Sequence, residues 1–97
     1  MALTTNLELE PNDSKRLAAL TGPLDQNLKH VEKRLGVHVR NRGNLFQISG
    51  PEQKVKVAGA LLAQLYRETL KLETIDPETV HLYLQESGAD EILANNS

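Results

Sequence analysis

The sequence predicts a two-layer α+β domain: a three-stranded antiparallel sheet, helices on one face of it, and a C-terminal helical extension. Three observations predict it. Apolar residues alternate with polar ones in three short stretches, the mark of half-buried strands. Elsewhere they recur at spacings of three and four, the mark of amphipathic helices. Every change from one period to the other coincides with Gly or Pro. The chain has 97 residues, enough for one core and too few for two.

The elements follow in order. Thr4–Glu10 sets Leu7 and Leu9 on one side and Asn6, Glu8 and Glu10 on the other, a strand stopped by Pro11. Asn12 and Asp13 are N-cap types for a short helix through Leu20 that buries Leu17 and Leu20. Thr21-Gly22 breaks it. Pro23 then stands at a first helical position with Gly22 as cap and Asp25 in the positive first turn. Leu24, Leu28, Val31 and Leu35 form one face of this second helix, which Gly36 ends in the left-handed conformation. Val37 and Val39 alternate with His38 and Arg40 in a second strand. Arg42-Gly43-Asn44 turns the chain into a third, where Phe46 and Ile48 point inward, so the two form a hairpin.

Gly50-Pro51 opens the longest helix, whose stripe of Val55, Ala58, Leu61, Leu62, Leu65 and Thr69 or Leu70 needs a sheet or helix to cover it. After a linker at Lys71–Thr74, Asp76-Pro77 caps a last helix, with Val80, Leu82 or Tyr83, and Leu84 available for burial. Residues 89–97 are small, acidic and polar and are expected to be disordered. The expected organisation is residues 1–72 as the domain, 73–88 as linker and terminal helix, and 89–97 as tail.

Composition excludes several classes. The chain lacks Cys, so a disulfide framework, a thiol nucleophile and a zinc–thiolate site are excluded. Residues 1–9 have no secretory pattern, and the apolar run Ala58–Ala63 is far shorter than the about 20 residues of a membrane span. No membrane partner and a cytoplasmic location are therefore expected. His30, His38 and His81 have no helical i, i+4 spacing and read as structural or surface residues, with no metal site. No G-x-x-x-x-G-K-[ST] occurs, and no carboxylate pair or nucleophile–base set converges, so this chain is not expected to be an enzyme or to hold a cofactor.

The charge is more informative by segment than in total. The net charge is −2, yet residues 26–67 carry +6 between flanks of −2 and −6. Within that basic part, Lys29 and Lys33 share a helix face, and Arg40 and Arg42 share the outer side of the second strand. Such charges neutralise phosphates with a salt-dependent, sequence-independent affinity. The alternative is a solvated polar face supported by i, i+4 pairs.

The order strand, helix, helix, strand, strand, helix resembles the KH domain (type I order), a module for single-stranded RNA and DNA. Gly22, Leu28, Val31, Gly36, Val37, Val39, Phe46, Ile48 and Gly50 stand where its pattern has glycine or an apolar residue, over about residues 3 to 72. The stretch LTGPLDQNLKHVEKRLGVHVRNRGNLFQISG, Leu20–Gly50, is also similar to the N-terminal KH-like domain of PhoH-family proteins. These are bacterial P-loop ATPases named for phosphate starvation and linked to RNA metabolism and rRNA processing. The resembling features are Gly-x-x-Asp with an apolar residue three on, Glu-x-x-Leu-Gly at the helix end, and Arg-Gly-Asn before a strand; Ile75–Glu86 is similar too.

The resemblance implies that ATP and Mg belong to a following ATPase domain, which this chain does not contain. It implies an RNA-associated accessory module here, with single-stranded RNA or rRNA and its own ATPase domain as partners. It also implies a nucleic-acid groove formed by Gly22, Pro23, Leu24, Asp25, Lys29, Lys33, Arg40 and Arg42.

Asp25 departs from the pattern. A working clamp has Gly there, so that backbone can approach a phosphate at a helix N-terminus. Pro23 further removes one N–H, and the Asp25 carboxylate is expected to satisfy the free amides itself. Gly22–Asp25 therefore reads either as a capped helix start or as a weakened clamp. With Phe46 in a buried register and Tyr66 and Tyr83 on helices, any RNA contact should be weak and backbone-dominated. The alternative is a protein-interaction or homo-oligomer module that kept the shape and lost the clamp. In that case the Val55–Leu70 stripe and the Asp76–Glu86 helix would pack on a partner.

Overall fold

The structure, a computed structural model, describes residues 2–86. The expectation for residues 89–97 lies outside the described residues. The elements are β1 (Ala2–Glu8), α1 (Ser14–Thr21), a short 3-10 turn (Pro23–Asp25), α2 (Gln26–Leu35), β2 (His38–Arg42), β3 (Leu45–Pro51), α3 (Glu52–Glu68) and α4 (Pro77–Glu86). This is the α+β architecture expected, with the β-α-α-β-β-α order of a KH-like fold followed by an additional helix.

The sheet is antiparallel throughout, in the order β1-β3-β2. β3 is central because the two-residue Gly43-Asn44 turn folds it back on β2, with Arg42 opposite Leu45, while β1 pairs along its other side. Phe46 and Ile48 project from β3 into the core beside Val39 and are fully buried or nearly so. α3 lies across β3 and β1 on that face, and its Val55, Ala58, Leu61, Leu62 and Leu65 are buried. Each such Leu removed from water contributes about 1.5–3 kcal/mol. The stripe continues through Tyr66 and Thr69; Leu70 is exposed.

α1 begins as its sequence dictates. The Asp13 carboxylate accepts from the amides of Lys15 and Arg16 at 3.0 and 3.2 Å. Arg16 then lies over the Tyr66 ring, 4.4 Å from its centroid, and donates to Thr69 Oγ1 at 2.8 Å, tying α1 to the end of α3. The Tyr66 hydroxyl completes the joint by donating to the Pro11 carbonyl.

α4 packs against α2 and α3, with Ile75, Val80 and Leu84 in the common core, Tyr83 half-buried and Leu82 exposed. The α3 stripe and the apolar face of α4 are therefore covered within the chain. They do not provide the partner surface that the interaction reading gave them.

The start of α2 also differs from the expectation. Pro23 does not begin that helix. Leu24 (φ 54°, ψ 30°) and Asp25 (φ 57°, ψ 28°) are both left-handed, and α2 starts only at Gln26. The kink turns Leu24 off the apolar face that Leu28, Val31 and Leu35 share, leaving it 90% exposed. In its place the core receives Asn27, 2% exposed, whose Nδ2 donates to the carbonyls of Leu20 (3.0 Å) and Ile75 (2.7 Å). Those two bonds fix the 3-10 turn against α1 and the segment leading to α4. Gly22 is required beside it: its φ is 77°, and a Cβ there would stand 2.9 Å from Asn27 Nδ2.

Candidate functional site

α2 and β2 enclose an open groove of about 460 Å³ lined by Asp25, Leu28, Lys29, Glu32, Val39, Arg40 and Asn41. Its position follows from the chain path. Gly36, left-handed at φ 69°, ends α2 with its amide on the Glu32 carbonyl at 2.8 Å and sends β2 back beside the helix. Leu28 and Val39 supply an apolar floor. Lys29 is on the helix wall and Arg40 on the strand wall. A second recess of about 600 Å³ shares Lys29 and Glu32 and continues past Lys33, Gly36, Val37 and His38. The groove side of α2 thus presents Lys29 and, one turn on, Glu32 and Lys33, with Asp25 just before the helix.

Of the residues expected to form the groove, Asp25, Lys29 and Arg40 come together in it and Lys33 extends it. Arg42 does not. It borders a different hollow, about 630 Å³, on the uncovered face of the sheet with Asn6, Leu45 and Gln47; Arg40 borders both. The reason is the two-residue period of β2 together with the edge. Arg40 and Arg42 do share the outer sheet face, but only Arg40 is level with α2. Gly22 and Pro23 build the 3-10 turn above the groove without lining it, and Leu24 projects from its tip.

That turn directs most of its donors inward. Asp25 N–H donates to the Gly22 carbonyl at 3.1 Å, Gln26 N–H donates to the Pro23 carbonyl, and Pro23 has no N–H. The Asp25 side chain makes no capping hydrogen bond to α2. This corrects the expectation that the carboxylate satisfies the helix amides. Backbone carbonyls take the amides of Asp25 and of Gln26, the first residue of α2, and the Asp25 carboxylate lines the groove.

Glu32, the Glu of the Glu-x-x-Leu-Gly helix end, was not expected in the groove. Its Oε2 accepts from the Val39 amide at 2.9 Å, so a carboxylate spans from helix to strand inside the groove. The lining therefore pairs two cations, Lys29 and Arg40, with two carboxylates, Asp25 and Glu32. The +6 of residues 26–67 is spread over the domain: Lys54, Lys56 and Arg67 are on α3, with Lys56 paired to Glu52 at 3.5 Å.

The histidines, distant in sequence, include one contact. His30 of α2 and His81 of α4 stack with ring centroids 6.5 Å apart and planes 11° from parallel. Partial burial lowers the His30 pKa below its ordinary value, and repulsion from His81 and Arg34 lowers it further. Among the described residues no group of three or more His, Asp or Glu is placed to hold a metal ion. No helix among them is long and apolar enough to cross a membrane. No protein-family model and no solved structure matches the chain.

Proposed function

We propose that this chain is an accessory, RNA-associated KH-like module of a PhoH-like ATP-binding protein of the bacterial cytoplasm. It positions single-stranded RNA, or an rRNA-bearing partner, for an ATPase domain that lies outside these residues and handles ATP and Mg. The observation that carries this reading is the placement of Lys29 and Arg40 on opposite walls of one groove over an apolar floor. A single strand lying there would meet one cation on each side and stack on little, since no aromatic side chain lines the groove. Contact would be to phosphates, weak and tolerant of sequence.

The experiment is a fluorescence-anisotropy titration of the chain with a labelled single-stranded RNA and the matching duplex at low salt. Saturable binding to the single strand in preference to the duplex is expected; no binding of the single strand overturns the proposal. The ATPase context is tested by the downstream codons of the gene, where a G-x-x-x-x-G-K-[ST] is expected.

One observation favours a second reading, a protein-interaction module with a degenerate clamp: the Gly22 and Asp25 amides are bonded to backbone carbonyls, Pro23 has no N–H, and Asp25 lines the groove. A chain that binds no RNA but sediments as a complex with itself or with its ATPase domain would establish that alternative.

A further inference from the structure

The two edges of the sheet differ. β2 is five residues long, carries Arg40 and Arg42, and has its Val39 amide occupied by the Glu32 carboxylate. Those are devices that keep an edge from pairing with another chain. β1 has none of them. It is seven residues long, pairs with β3 without a bulge from Ala2 to Glu8, and contains no Pro and no Lys. Among the described residues, β3 alone is backbone-bonded to Ala2–Glu8. A long, regular, unguarded edge is what a sheet presents to a further strand.

We propose that β1 is the self-association edge of this protein, and that its partner is β1 of a second copy of the chain, antiparallel about a two-fold axis. The strand is complementary to itself. In the register that pairs all seven residues, Thr5 faces Thr5, Thr4 faces Asn6, Leu3 faces Leu7 and Ala2 faces Glu8. Glu8, the one charge in the strand, meets Ala2 and never another carboxylate. Leu3, 37% exposed, and the half-buried Leu7 meet on the helix-covered side, where they gain cover. Thr and Leu at facing positions suit a pleated pair. The product is a continuous six-stranded sheet with all helices on one side. The proposal is independent of RNA binding, and it leaves both α2–β2 grooves open at the far edges. The two β2 strands would be about 24 Å apart at about 4.8 Å per strand step.

Sedimentation of the full chain over a range of concentrations tests it. A reversible monomer–dimer equilibrium is expected. Asn6→Lys combined with Thr4→Lys places cation against cation twice in the proposed register and should leave only monomer. Asn6→Lys combined with Thr4→Glu places opposite charges there and should restore the dimer. Both positions are exposed, so circular dichroism should match the parent. Hydrogen exchange of the parent adds a measurement that needs no variant: amides of residues 2–8 should become slower as concentration rises. A monomer up to about 1 mM, where association would be worth only about 4 kcal/mol, overturns the proposal. So does a dimer indifferent to the paired lysines or not rescued by the Glu–Lys combination, and so does β1 protection that is independent of concentration.

Discussion

The Glu32 carboxylate accepts a hydrogen bond from the Val39 amide, 2.9 Å from Oε2 to N, across the groove between α2 and β2. This bond satisfies an edge amide that no strand covers, and it sets a negative charge beside Lys29 and Arg40. The charge opposes a phosphate backbone while the hydrogen bond holds the groove's two walls together. Glu32→Gln separates the two effects, because the amide oxygen still accepts and the charge is gone. Single-stranded RNA affinity should rise about fivefold, the equivalent of ~1 kcal/mol for one unit charge about 4 Å away in water. Chemical denaturation should show less than about 1 kcal/mol of change. Unchanged affinity would place the strand elsewhere.

Leu24 should be replaceable at a gain. It is 90% exposed, so it contributes little packing, and it sits at φ 54°, where an L side chain costs roughly 1–2 kcal/mol. Glycine adopts that conformation without the penalty but loses about 0.5–1 kcal/mol through the freer unfolded chain. Leu24→Gly should therefore stabilise the protein by roughly 0.5–1 kcal/mol in a urea titration. A loss of stability would mean that the exposed side chain stabilises the turn by more than its backbone strain costs.

Asn27 should be among the least replaceable polar residues. Its Nδ2 serves two buried carbonyls, Leu20 and Ile75, which belong to segments far apart in sequence. Asn27→Ala leaves both without this donor and should cost about 2–4 kcal/mol. Proteolysis should then cut more readily around residues 71–76, because Ile75 has lost its anchor. Equal protection in variant and parent would refute the anchoring role.

His30 predicts a pH dependence. Its pKa is lowered in the folded chain by partial burial first, then by His81 and Arg34. The unfolded chain therefore takes up a proton at higher pH than the folded one, and stability rises with pH. The contribution is fully present above the unfolded value of about 6.5 and is lost as pH falls through the lowered folded value. Denaturation midpoints measured from pH 8 down to about 5 should hold above about 6.5 and fall below it, and His30→Gln should flatten the profile. A profile that keeps its slope in His30→Gln would assign the effect to another group.

What was legible in the sequence was what is local. The Asp13 cap lies two and three residues from its donors, and Gly36 ends α2 by its own conformation. The hairpin follows from Gly43-Asn44 between two alternating stretches. Leu24 was misplaced because two consecutive left-handed residues that are not glycine leave no mark on a hydrophobic period. Asn27 looked like an ordinary polar helix position, and Glu32 was visible only as part of the helix-end motif. Asn27 is buried because Ile75, 48 residues later, offers its carbonyl, and Glu32 is turned inward because β2 offers an unpaired amide. Lys29 and Arg40 were both identifiable, whereas Arg42 was assigned to the groove because residue period alone does not say which part of a strand lies beside a helix.

The groove's role rests most directly on the salt dependence of single-stranded RNA binding in two charge-reversal pairs. Lys29→Glu with Arg40→Glu changes the groove. Lys56→Glu with Arg67→Glu makes the same change in net charge on α3, away from it. The groove pair should abolish most binding and make the log–log salt slope shallower by about 1.4, or about 0.7 for each phosphate no longer neutralised. The α3 pair should leave the slope within error of the parent. Equal reductions in both pairs, or a slope unchanged by the groove pair, would contradict that role.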